Sequence, residues 1–117
     1  MTRTLLIASL FTGASLTACA TAPRQQLTNA EATVKAAEAV GAQDEPRASY
    51  HLKLAKDQIE VAKPLVEGSN KDRKTAAEVL DRAAADAELA MSLAESTELQ
   101  NEADKTWNEV RELQASR

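Results

Sequence analysis

The chain is expected to be all-α: an Ala-rich up-down-up three-helix bundle, or a helical hairpin, with a long overhanging third helix. Three observations predict this. From Cys19 onward 21 of the 99 residues are Ala, and aromatic residues make up only 3% of the chain. Ala is the best helix former, whereas β-branched and aromatic residues favour strands. Apolar residues recur at alternating steps of three and four, and Gly and Pro occur only where these runs begin, bend or stop.

The first eighteen residues differ from the rest. Arg3 supplies a short basic start, residues 5–16 are apolar or small without a charge, and the segment closes on small residues. This is the layout of a secretory signal. Its uncharged run of about fourteen residues falls short of the roughly twenty that a spanning helix needs, so cleavage is expected rather than a permanent span.

Residues Leu16-Thr17-Ala18-Cys19 resemble the bacterial lipobox, [LVI]-[ASTVI]-[GAS]-C, at every position. The resemblance implies that Cys19 becomes the first mature residue and carries a thioether-linked diacylglycerol. Two or more acyl chains anchor a protein stably, at about 0.8 kcal/mol per buried methylene. Ala20 stands where an Asp would retain an enterobacterial lipoprotein in the inner membrane, so the same resemblance implies the outer membrane, facing the periplasm. The other readings of Cys19 are weaker. One cysteine has no partner for an intrachain disulfide, and its neighbours provide no base or positive charge to activate a thiol. An incidental thiol in an unprocessed helix is the remaining alternative.

Without residues 1–18 the chain carries thirteen Lys and Arg against eighteen Asp and Glu, a net charge of about −5. Phosphate binding needs a basic stripe and none is present, so nucleic acid is not expected as a partner. The charges are mixed in sign, as on solvated helix faces. The expected organisation is a lipoprotein signal peptide over 1–18, a lipidated tether over 19–26 and a helical domain over 27–117.

The first helix is expected from about Asn29 to Val40. Thr28 and Glu31 have the T-x-x-E spacing of a capping box, Leu27, Ala30, Val34 and Ala37 form the apolar face, and Gly41 terminates it. Asp44-Glu45-Pro46 opens the second helix, with acids at the positive end of the dipole and Pro where its missing N–H costs nothing. Its face is Ala48, Leu52, Ala55, Ile59, Ala62 and Val66, and Gly68 stops it. Pro64 removes a hydrogen bond and clashes with the carbonyl of Glu60, which predicts a kink or an end near Ala62 or Lys63.

Ser69-Asn70-Lys71-Asp72 caps the third helix, whose face runs Ala76, Leu80, Ala83, Ala87, Ala90 and Ala94. Beyond Ala94 the phase slips, and the next apolar set is Leu99, Ala103, Trp107, Val110 and Leu113. A single helix from about Lys71 to Gln114, about 66 Å long, is the expectation. A break at Glu95-Ser96-Thr97-Glu98, with Thr97 and Gln100 as a second capping box, is the alternative. Three helices with short connections pack antiparallel, and the first two cover only the first part of the third. Each Ala buries little apolar area, so the monomer is expected to be marginal.

Gly41-Ala42, Pro46, Leu54-Ala55-Lys56, Gly68 and Asp86-Ala87-Glu88-Leu89-Ala90 are similar to the loose pattern of the small envelope lipoproteins that carry the domain of unknown function DUF4398. The resemblance covers roughly residues 27–94. It implies an envelope location and brings no activity with it. The lipid anchor and the four-and-three spacing also resemble the short outer-membrane lipoprotein that forms a trimeric coiled coil tied to peptidoglycan through a terminal Lys. Here the chain ends Ala115-Ser116-Arg117, and Gly41 and Gly68 interrupt the coil, so that linkage is not expected.

Catalytic constellations are scarce. His51, beside Tyr50, is the one histidine, and a metal site needs further ligands at a fixed spacing. Acid pairs such as Asp44-Glu45 and Asp86 with Glu88 are expected to cap or be solvated. No enzyme activity, cofactor or metal is expected. Trp107 is either an anchor in a core or oligomer, or a contact for an envelope partner. The preferred reading is a lipid-anchored structural or adaptor protein that presents a helical surface to an envelope protein or to a peptidoglycan-associated partner. The alternative is a self-associating coiled-coil spacer.

Overall fold

A computed structural model describes residues 22–116 of the chain. They form three helices, α1 (Pro23–Ala39), α2 (Pro46–Ala62) and α3 (Asn70–Ala115), with a 3-10 turn, Lys63–Leu65, between the last two. The expected all-α bundle with an overhanging third helix is what the chain adopts. Lys56 pairs with Glu38 at 2.5 Å and Lys63 with Glu31 at 3.5 Å, which places α2 antiparallel to α1. His51 and Gln58 of α2 both reach Asp86, and Arg24 of α1 reaches Glu67, so α1 runs up, α2 down and α3 up again.

Helix α1 begins six residues before its expected start. Pro23 occupies the first turn, where its fixed φ is pre-organised for helix and its missing N–H leaves nothing unsatisfied, and Ala22 accepts from the Gln25 and Gln26 amides at 2.8 and 3.1 Å. Thr28 therefore lies inside the helix, with its hydroxyl donating to the Arg24 carbonyl at 3.1 Å instead of capping. The tether expected over 19–26 thus gives way to helix at Pro23. At the other end Gly41, with φ +79°, takes the left-handed position that follows the helix, and such a φ costs other residues about 1–2 kcal/mol.

In α2 the Glu45 carboxylate accepts from the Ala48 amide at the N-terminus, as the sequence predicts. The helix stops at Ala62 because Pro64 has no N–H for the Glu60 carbonyl. The chain tightens into the 3-10 turn, and the Val66 amide reaches Ala62 O at 3.2 Å and Lys63 O at 3.4 Å. Ser69 and Asp72 then close a reciprocal capping box at the start of α3. Helix α3 passes unbroken through Glu95–Glu98 and is about 69 Å long at 1.5 Å per residue. Thr97 and Gln100 form no cap.

The six apolar positions predicted on α2 and the six on α3 up to Ala94 are all buried, with Ala30, Val34, Ala37 and Ala42 completing the core. Eleven of these sixteen residues are Ala, so the helices pack closely over little apolar area. The large side chains of the core are Leu52, Ile59 and Leu80 with Val34 and Val66. Among the described residues, no helix is long and apolar enough to cross a membrane.

Candidate functional site

The bundle ends where α1 and α2 turn. Val40, Asp44 and Pro46 face Ala94, Thr97 and Asn101 across a shallow groove at that level, and α3 continues past it alone. From Glu95 to Ala115 the helix projects about 30 Å. At the opposite end Ala22 and Pro23 lie against Val66, Glu67 and Arg73. The start of the described chain and the tip of α3 are therefore at opposite poles, because α1 enters beside the α2–α3 turn and α3 leaves in the direction in which α1 runs.

Among the described residues, the projecting segment holds the most exposed of the large apolar side chains: Leu99, Trp107 and Leu113 are 66%, 67% and 68% exposed. Trp107 contacts no core, so anchoring within the monomer is not its role. Isolated exposed hydrophobics are ordinary, whereas a grouped set marks an interaction site. At 100° per residue, Leu99, Ala103, Trp107, Val110 and Leu113 share one side of α3, about 160° around from the Ala76–Ala94 face that packs on α1 and α2. The phase slip seen in the sequence is thus a change of face. Apolar side chains leave the bundle side once no helix is left there to cover them.

Charge is also unevenly placed. Arg24, Lys71, Arg73 and Lys74 gather at the pole where α1 and α3 begin. Arg24 pairs with Glu67 at 2.7 Å, and its hydrogen bond and positive charge hold that carboxyl below its ordinary range. The Asp72 carboxyl is held low as well, by hydrogen bonds from the Ser69 hydroxyl at 2.7 Å and amide at 2.9 Å. The projecting segment is acidic, with Glu95, Glu98, Glu102, Asp104, Glu109 and Glu112 against Lys105 and Arg111.

His51 is more tied down than a lone surface histidine. Its Nδ1 lies 2.9 Å from Asp86 Oδ1, Gln58 Nε2 donates to Asp86 Oδ2 at 2.8 Å, and Tyr50 packs edge-on against the imidazole at 5.3 Å. One carboxylate thus joins two turns of α2 to α3. Spacing within α2 puts His51 and Gln58 on one face, seven residues apart, but only the docking of α3 supplies Asp86. Gln58 Oε1 is buried without a partner. Among the described residues no group of three or more His, Cys, Asp and Glu is placed to hold a metal ion. Cys19 lies outside the described residues, with the signal segment 1–18 and the start of the tether.

These features define a class: a small all-α bundle whose long final helix leaves the body with an uncovered apolar side. The model of one family, described as a domain of unknown function (DUF4398), matches residues 25–106, and the chain belongs to that family. The match takes in most of α1 and the projecting helix as far as Thr106. Residues 95–106 of the overhang therefore belong to the family's domain, beyond the Ala94 limit of the sequence resemblance. No curated protein and no solved structure matches the chain.

Proposed function

We propose that the protein is a lipid-anchored adaptor of the cell envelope, held by diacylglycerol on Cys19 in the outer membrane, that presents the distal half of α3 to a periplasmic partner. The observation that carries this reading is the polarity of the fold. Ala22, three residues from Cys19, sits at one pole, and the exposed Leu99–Leu113 segment lies towards the other, about 44–65 Å along α3 from Asn70. An anchor at the first pole leaves the second free to reach away from the lipid surface. Its role is to bind, with Trp107 as the main contact, since Trp is enriched where binding energy concentrates.

The alternative, a coiled-coil spacer that associates with itself, is favoured by the four-and-three spacing of Leu99, Ala103, Thr106, Val110 and Leu113. Metabolic palmitate labelling with membrane fractionation tests the anchor: Cys19→Ser is expected to abolish label and release the chain from the outer-membrane fraction. Retained label and retained fractionation would refute it. Crosslinking in intact cells from a photoreactive residue at Trp107 tests the adaptor role, and capture of no protein other than a second copy would sink it.

A further inference from the structure

The outer side of α3 carries a longer pattern than its exposed tip. Ala85, Leu89, Ser92, Ser96, Leu99, Ala103, Thr106, Val110 and Leu113 alternate steps of four and three over about 42 Å, and none is charged. All ten charged residues between Ala85 and Leu113 fall at other positions. Ala76, Leu80, Ala83, Ala87, Ala90 and Ala94 form a second such series, already buried against α1 and α2. Helix α3 therefore has two seams on nearly opposite sides, one filled and one open. Eight of the nine open-seam residues are exposed and Val110 is half-buried. A seam free of charge over four heptads, with Leu89, Leu99, Val110 and Leu113 as its larger apolar members and one charged flank, has the spacing of a coiled-coil interface.

The flanks choose the partner and its direction. Taking Leu89, Ser96, Ala103 and Val110 as the a positions, the residue before each is Glu: Glu88, Glu95, Glu102 and Glu109. The other flank, after each d residue, holds Leu93, Gln100, Trp107 and Gln114. In a parallel pair each residue of the first flank meets the second flank of its mate five positions on. Glu95 then faces Gln100, Glu109 faces Gln114, and Glu102 lies beside Trp107, with no like charges opposed. An antiparallel pair sets the four Glu of one helix against the four Glu of the other. Small residues at Ala85, Ser92, Ser96 and Ala103 let the backbones approach. Thr106 already donates its hydroxyl to the Glu102 carbonyl at 3.0 Å, so its burial strands no donor.

We propose that the open seam of α3 is an interface with a second copy of this chain, parallel and in register from Ala85 to Leu113, with α1 and α2 on the outside. This deepens the self-associating reading by giving the pair its register and direction, and it rests on that reading for the surface being used. A parallel pair sets both Ala22 ends at the same pole, as two anchors in one membrane require.

Disulfide trapping tests it on the purified full chain carrying Cys19→Ser, which has no other thiol. Leu99→Cys and Leu113→Cys, each alone, are expected to give a disulfide-linked dimer on oxidation, and Asn108→Cys, on the far side of the helix, none. Adding Val110→Glu to the Leu99→Cys chain is expected to lower its dimer yield at least tenfold. Leu113→Cys reads the direction, because an antiparallel pair over the same seam sets Leu113 against Ala85 while Leu99 stays near its own mate; no dimer from Leu113→Cys alone, with one formed when it is mixed with an Ala85→Cys chain, would establish an antiparallel pair and overturn the proposal. Absence of dimer with every variant would overturn it too. Photocrosslinks in cells that join Trp107 only to other proteins would refute the second copy while leaving the adaptor role intact, and palmitate label on unsubstituted Cys19 reports on the anchor separately.

Discussion

Leu80→Ala probes the core most directly, because Leu80 is the largest side chain in the fully buried set and is 1% exposed. It sits on α3 where both shorter helices pack, surrounded by a core that is mostly Ala. Such neighbours have no longer side chains to swing into the gap, so the site collapses poorly and the cavity is retained. Leu→Ala changes of this kind cost about 2–5 kcal/mol, and the upper half of that range is expected here. At about 0.05–0.15 kcal/mol per residue, that is a large share of the stability of a domain this size. It corresponds to a fall in Tm of roughly 10–30 °C. Circular dichroism at 222 nm on heating and in urea measures it, at concentrations low enough to keep the chain monomeric. Leu113→Ala in the same helix is the control: Leu113 is exposed, and a change within about 0.5 kcal/mol is expected. Equal losses for the two variants would refute the argument that the bundle ends near Ala94.

Other outcomes follow from single sites. A Cβ on Gly68 would lie 2.6 Å from Asp72 Cβ and 2.7 Å from its Oδ2, so Gly68→Ala is expected to displace the capping carboxylate and cost about 1–2 kcal/mol in urea unfolding, the worth of an N-cap. Acid weakens the same corner. The Glu67 and Asp72 carboxyls are held below their ordinary range, Glu67 chiefly by its hydrogen bond with Arg24 and Asp72 chiefly by that from the Ser69 hydroxyl. Their contributions are therefore present above the ordinary carboxylate pKa values of about 4 and lost as pH falls through the lowered ones. Carboxyl titration by NMR reads this directly, and salt weakens the exposed Glu67–Arg24 part. Asp86→Ala strips the partner from His51 and from Gln58 Nε2 at once, and a loss of about 1–3 kcal/mol is expected for the groups left unpaired. A loss below about 0.5 kcal/mol, the range of ordinary surface changes, would show that the link does not hold α2 to α3.

Much of the fold was legible along the chain because helices are local. The α2 and α3 faces, the Glu45 and Ser69 caps, the Gly41 stop and the break at Pro64 each depend on residues within one or two turns. The start of α1 was not, since Thr28 and Glu31 have capping spacing whether or not they cap, and Pro23 upstream offered an equally sound first turn. A capping motif is permissive, and the helix extends to the earliest start whose backbone groups are satisfied. The candidate surface was half legible. The phase slip after Ala94 marked Leu99 to Leu113, but a lone stripe does not say which way it faces relative to the body.

Sequence by itself determined that this protein is helical, where α2 and α3 begin and end, and that the apolar phase changes at Ala94, because propensity, capping and 3.6-residue periodicity act between near neighbours. Tertiary structure alone decided that α1 ends and α2 begins at that same level, that the displaced stripe lies opposite the filled one, that Asp86 gathers His51 and Gln58, and that Ala22 and the tip of α3 occupy opposite poles. Those facts depend on how three helices dock over an Ala-rich core, and docking joins residues tens of positions apart.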